Sequence, residues 1–89
     1  MFELFFSNKA KKEIKRLDKY YLKRITELFG VLLSDPTPSE FYDLKKLSGS
    51  DNEYRIRIGK IRIIYEVDWI TKRIKVWEVT PRETAYGSR

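Results

Sequence analysis

The residues with the most chemistry to offer lie in one stretch, Tyr54-Arg55-Ile56-Arg57-Ile58-Gly59-Lys60-Ile61-Arg62-Ile63-Ile64-Tyr65, and in the tail that carries Arg82 and Tyr86. Gly59-Lys60 between two β-branched runs reads as the two-residue loop of a hairpin, with glycine in the first position as a type II′ turn requires. That loop sets the pairing: Ile58 opposite Ile61, Arg57 opposite Arg62, Ile56 opposite Ile63, Arg55 opposite Ile64 and Tyr54 opposite Tyr65. Side chains alternate across the pleat, so Arg55, Arg57 and Arg62 share one face while Ile56, Ile58, Ile61 and Ile63 share the other. Like charges directly across a strand pair repel, so Arg57 facing Arg62 needs something to offset it. A bound polyanion is one candidate, because guanidinium groups on a rigid sheet offer paired donors to phosphate and stack on exposed bases. The other is the solvated face of a half-covered antiparallel sheet, where long cationic side chains need no ligand. Glu66, Asp68 and Glu78 on the same sheet are further possible counter-charges, and the register of the last hairpin leaves the face of Glu78 open.

Absences narrow the chemistry further. The 89 residues include no cysteine and no histidine, which excludes disulfides, Cys-bearing zinc sites, thiol nucleophiles, Ser-His-Asp triads and a histidine-pair ribonuclease. Acid–base work falls to Tyr, Lys, Asp or Glu. Nineteen Lys and Arg against thirteen Asp and Glu give a formal charge of +6. Residues 1–44 carry only +1 of it and residues 45–89 carry +5, so the excess sits on the half that holds the arginines. Such a balance suits nucleic acid or an acidic partner, and equally keeps a surface soluble. No apolar run reaches the roughly 18–20 residues of a membrane span, and the N-terminus lacks the basic and long apolar regions of a signal peptide. The expectation is one cytoplasmic domain, residues 1–89, with no membrane association.

The elements that must hold those side chains follow from periodicity. Phe2-Glu3-Leu4-Phe5-Phe6 reads as a short strand ending at Ser7, a helix N-cap. Ala10, Ile14, Leu17, Tyr21, Ile25, Leu28 and Leu32 then recur every three or four residues, a core-facing helical stripe. Run without a break it would be long, and Asp18 is a second N-cap, so the stretch is divided near Leu17-Asp18-Lys19 into a helical hairpin. Asp35-Pro36-Thr37-Pro38-Ser39 stops the helices. Leu44-Lys45-Lys46-Leu47 is ambiguous, and three strands follow: 53–58, 61–68 and 73–80. The expected fold is α+β: an N-terminal strand, a helical hairpin, then a three-stranded antiparallel meander packed on the helices, as in microbial ribonucleases.

This order resembles the RelE/ParE toxin superfamily, and within it the short archaeal RelE proteins, over essentially the whole chain. The pattern Tyr-Arg-x-Arg-x-Gly-x-x-Arg-x-x-Tyr from Tyr54 to Tyr65, with Arg82 seventeen residues beyond it and Tyr86 in the tail, carries the likeness. The resemblance implies the toxin of a type II toxin–antitoxin pair, a ribosome-dependent endoribonuclease (mRNA interferase) that cuts messenger RNA in the ribosomal A site and so inhibits translation. It implies a cognate RelB-like antitoxin with an acidic, flexible segment that folds on binding, and no cofactor or metal. The basic helical face of Lys11, Lys15, Lys19 and Lys23 and the sheet are surfaces for such a segment, or simply solvated.

Position by position, the family's basic pair falls on Arg55 and Arg57, its phosphate-binding arginine on Arg62, its arginine after the last strand on Arg82 and its C-terminal tyrosine on Tyr86. Bacterial RelE has lysines where this chain has Arg55 and Arg57, and arginine does not readily give up its proton. With only three residues after Tyr86 in the sequence, the longer C-terminal helix of the bacterial forms is not expected. The implied catalytic set is Arg57, Arg62, Arg82 and Tyr86, with Arg55 and Lys60 binding RNA. Tyr86 is a stacking partner or a base, and Lys60 is the alternative base. ParE-type toxins, which poison DNA gyrase, share the scaffold, and a non-catalytic RNA- or ribosome-binding module would use the same cationic face.

Overall fold

Ser7 and Asp18 decide where the helices begin. In the computed structural model, which describes residues 1–81, the Ser7 hydroxyl accepts a hydrogen bond from the Ala10 amide at 3.0 Å and the Asp18 carboxylate one from the Tyr21 amide at 2.9 Å. Each side chain satisfies an amide that a helix start leaves without a partner. The helical hairpin expected from the sequence therefore forms, as α1 (Asn8–Lys15) and α2 (Lys19–Leu32). Of the apolar stripe, Ala10, Ile25, Leu28 and Leu32 are fully buried, while Ile14, Leu17 and Tyr21 pack on the core's edge. Among the described residues no helix is long and apolar enough to cross a membrane.

The strands are β1 (Glu3–Phe6), β2 (Asp43–Lys46), β3 (Glu53–Ile58), β4 (Ile61–Asp68) and β5 (Arg73–Pro81). They form one sheet in the order β1-β5-β4-β3-β2, antiparallel except for β1, which lies parallel to β5. The α+β class agrees with expectation. The meander is wider than the sequence suggested, because the ambiguous segment supplies β2 on one edge and the first strand closes on β5 at the other. Ile56, Ile58, Ile61, Ile63, Tyr65, Val67, Ile74, Val76 and Val79 face the helices and are buried.

The β3–β4 register is the one that the turn dictates, from Ile58↔Ile61 to Glu53↔Glu66. Gly59 has φ +55°, and Lys60 is not among the residues with positive φ, which matches a turn with glycine first. The Tyr21 hydroxyl, reaching from α2, accepts a hydrogen bond from the Lys60 amide at 3.1 Å, and a Cβ at Gly59 would stand 2.5 Å from that oxygen. Glycine is thus needed twice, for its backbone angle and for the approach of Tyr21.

Alternation breaks once, on β5. Glu78 stands opposite Ile64 and Val76 opposite Tyr65, so Trp77 is the extra residue of a β-bulge. The bulge shifts the inward parity from Ile74 and Val76 to Val79, and keeps Glu78 out of the core.

Candidate phosphate-binding site on the outward face of the sheet

Pairing across the sheet places Asp43, Arg57, Arg62 and Thr80 in one row, with Lys45, Arg55, Ile64 and Glu78 in the next. The three arginines of the hairpin therefore stand together on the face away from the helices, Arg57 and Arg62 directly opposite each other. Lys60 sits at the exposed turn beside them. Arg82 and Tyr86 lie outside the described residues; β5 is described as far as Pro81, opposite Ile61.

The charge that offsets the Arg57–Arg62 repulsion is one that sequence reasoning missed. Asp43, on β2, accepts a hydrogen bond from Arg55 Nη2 at 3.1 Å, and its other oxygen lies 3.7 Å from Arg57 Nε. The Arg55 side chain is only 13% exposed, against 35% for Arg57. Arg55 is thus largely committed to holding Asp43 in place. Arg57 meets that carboxylate on its Nε side, which leaves the terminal fork of its guanidinium for another acceptor. Arg62 makes no ion pair among the described residues. Its Nε is buried without a hydrogen-bond partner, as are Arg55 Nε and, across from Arg62, the Thr80 hydroxyl. Buried polar atoms without protein partners are uncommon, and these three stand in the two adjacent rows that hold the arginines.

The carboxylates that the sequence offered are engaged elsewhere. Glu66 accepts a hydrogen bond from Trp77 Nε1 at 3.1 Å, Asp68 binds the amides of Ile70 and Thr71, and Glu78 pairs with Lys9 of α1 at 3.0 Å. Lys9 also binds Glu13, whose other oxygen takes the Val79 amide at 2.8 Å, so α1 seals the edge of β5 beyond the end of β1. The Lys9 ammonium is held above its ordinary pKa: desolvation opposes this, and the bonds to Glu13 and Glu78 outweigh it.

Asp43→Asn tests the counter-charge. It keeps an acceptor for Arg55 but removes the negative charge between two guanidiniums, and should lower stability by about 1 kcal/mol. Urea midpoints at low and high salt check it: salt should restore part of the loss by screening Arg57 from Arg62, and equal losses at both would show that charge is not the cause.

The sequence pattern described as ParE toxin of type II toxin–antitoxin system, parDE, matches residues 4–86. The chain belongs to the RelE/ParE toxin superfamily. A relative carrying the name toxin RelE1, from Methanocaldococcus jannaschii, is 39% identical over 85 residues, covering 96% of this toxin and 94% of the relative. Among solved structures, the archaeal RelE–RelB complex from Pyrococcus horikoshii OT3 matches with a TM-score of 0.83 and 32% identity over 91% of this chain and 94% of that one. The RelB–RelE antitoxin–toxin complex from Methanococcus jannaschii matches with 0.79 and 28% over 94% and 96%. The isolated E. coli RelE toxin, at 22% identity and a TM-score of 0.78 over 99% of this toxin and 94% of that chain, shares the fold. The toxin's arginine row thus stands on a scaffold common to archaeal and bacterial RelE proteins.

Proposed function

We propose that the protein is the toxin of a type II pair and a ribosome-dependent endoribonuclease that cuts messenger RNA in the A site. The observation that carries this reading is the Arg57–Arg62 pair: two guanidiniums face each other on an outward sheet surface, and one of them has no carboxylate partner among the described residues. A scissile phosphodiester fits between such groups better than any neutral ligand.

In the proposed reaction the ribose 2′-oxygen attacks the adjacent phosphorus, the bond from phosphorus to the 5′-oxygen breaks, and the products are a 2′,3′-cyclic phosphate and a 5′-hydroxyl. The 2′-hydroxyl proton passes to a base and another proton reaches the leaving oxygen. Arg62, with Arg82, meets the charge that gathers on the phosphate oxygens, where fixed cations stabilise it without reorganising. Arg57 stands near the leaving group. Arg55 serves by anchoring Asp43, which holds Arg57 from its Nε side, more than by touching RNA. Tyr86 is the stacking partner or base, with Lys60 as the alternative base at the turn.

The in-line geometry comes from the ribosome, which presents the message to a site too sparse to align a free strand. The partner is a RelB-like antitoxin. The +6 charge of the toxin suits an acidic wrapping segment, and the archaeal structures that it resembles are RelE–RelB complexes.

Ribosomes programmed with a defined message test the reading. Cuts should appear within the A-site codon and vanish when the nucleotide 5′ to the cut carries a 2′-deoxyribose, since the nucleophile is then missing. Intact messages accompanied by DNA breaks in induced cells would instead identify a gyrase poison.

A further inference from the structure

Two rows along the same sheet face lies a cleft of about 340 Å³ lined by Phe5, Glu66, Asp68, Arg73, Lys75 and Trp77. Phe5 and Trp77 are 42% and 41% exposed, on the face of the sheet away from the helices. The Lys75 ammonium lies 5.2 Å from the Trp77 ring centre and the Arg73 guanidinium 5.6 Å from that of Phe5. Trp77 keeps the outward parity of Arg73 and Lys75 on β5, and the bond from its indole nitrogen to Glu66 orients the ring. Both carboxylates in the cleft are occupied internally, Glu66 by that indole and Asp68 by the Ile70 and Thr71 amides. Neither Arg73 nor Lys75 makes an ion pair among the described residues.

We propose that this cleft is a second RNA subsite, where an unpaired base stacks against Trp77 and Phe5 while Arg73 and Lys75 hold the flanking phosphates. The choice of RNA as ligand rests on the endoribonuclease reading above. Glu66 is four residues along β4 from Arg62, so the cleft is about 13 Å from the arginine row at roughly 3.3 Å per residue, on one continuous surface. A single strand held at Arg57 and Arg62 reaches it without crossing an edge of the sheet. A peptide strand is the poorer fit: β5 is paired on both sides here, with β1 and β4, so it has no free backbone edge to accept one. Stacking on aromatic rings with cationic flanks is the recurrent mode for single-stranded RNA.

The test uses the whole chain with Trp69→Phe, which leaves Trp77 as the one indole of the two in the sequence. Short single-stranded oligoribonucleotides are titrated away from ribosomes, alongside an abasic oligomer of the same length and charge. The base-bearing strand should quench Trp77 fluorescence and bind about tenfold more tightly than the abasic one, as stacking of one base predicts. Trp77→Ala should erase that tenfold difference and leave the salt-sensitive, phosphate-driven binding; Trp77→Phe should keep most of the difference; Arg62→Ala should weaken both oligomers equally. Equal binding of the two oligomers to the parent, a difference that survives Trp77→Ala, or quenching by an acidic peptide in place of RNA would overturn the proposal. None of these measurements requires cleavage, so failure to cut on ribosomes would sink the endoribonuclease reading and leave this result standing.

Discussion

Arg62→Ala is expected to lower the rate of message cleavage on programmed ribosomes by at least about 100-fold while leaving the urea midpoint close to that of the parent. Removal of a single fixed donor from a site where anionic charge develops typically costs on the order of 10²–10³ in rate, and Arg62 faces Arg57 with no carboxylate to absorb its charge among the described residues. Stability should hold, because the side chain makes no ion pair there and its Nε has no partner to lose. Shortening it also relieves the repulsion from Arg57. Arg62→Lys should recover only part of the rate, since a point charge replaces a planar fork. Single-turnover cleavage at saturating toxin separates chemistry from binding, and an unchanged rate would remove Arg62 from the reaction.

The second large effect is on the fold. Tyr65 is fully buried, stacks on Tyr54 with ring centres 5.7 Å apart and donates its hydroxyl proton to the Pro36 carbonyl at 2.6 Å, tying the central strand to the proline segment that ends the helices. Tyr65→Phe keeps the ring but strands that carbonyl, at a cost of about 1–3 kcal/mol. Burial, then the nearby Tyr54 and Asp35, push the phenol well above its ordinary value near 10. The folded chain therefore keeps a proton that the unfolded chain releases once pH passes about 10. Stability from this group is complete below that pH and falls above it by about 1.4 kcal/mol per pH unit. The gap between the parent and Tyr65→Phe should be widest near neutrality and close as pH rises past 10. Urea melts across that range measure it; a gap independent of pH would mean that Tyr65 ionises in the folded state as freely as in the unfolded one.

What could be read in advance was local. Gly59-Lys60 specified the β3–β4 register because a two-residue turn leaves no slack, and Ser7 and Asp18 marked both helix starts because a cap needs only the next three residues. The shared face of Arg55, Arg57 and Arg62 followed from that register alone. What could not be read was set by distant chain. Asp43 belongs to a four-residue edge strand that exists only because β3 offers it a partner. Its one local signal was an inward Leu44 between charged neighbours, together with the need for an anion beside two arginines. The face of Glu78 depended on a bulge that periodicity registers only as imperfect alternation, and the burial of Arg55 against Asp43, to 13% exposure, was not legible because no sequence rule reports how deeply a cation is covered.

The parallel pairing of Glu3–Phe6 with Arg73–Val76 has a consequence for how the molecule is made. Glu3–Phe6 pairs with residues seventy positions further along the chain, so it has no neighbour in the sheet until β5 has emerged from the exit tunnel, and contacts that span so much of a chain form slowly. The nascent polypeptide therefore carries an unfinished sheet until β5 is free to fold, and the outward surface beside the arginines is completed on that side only then.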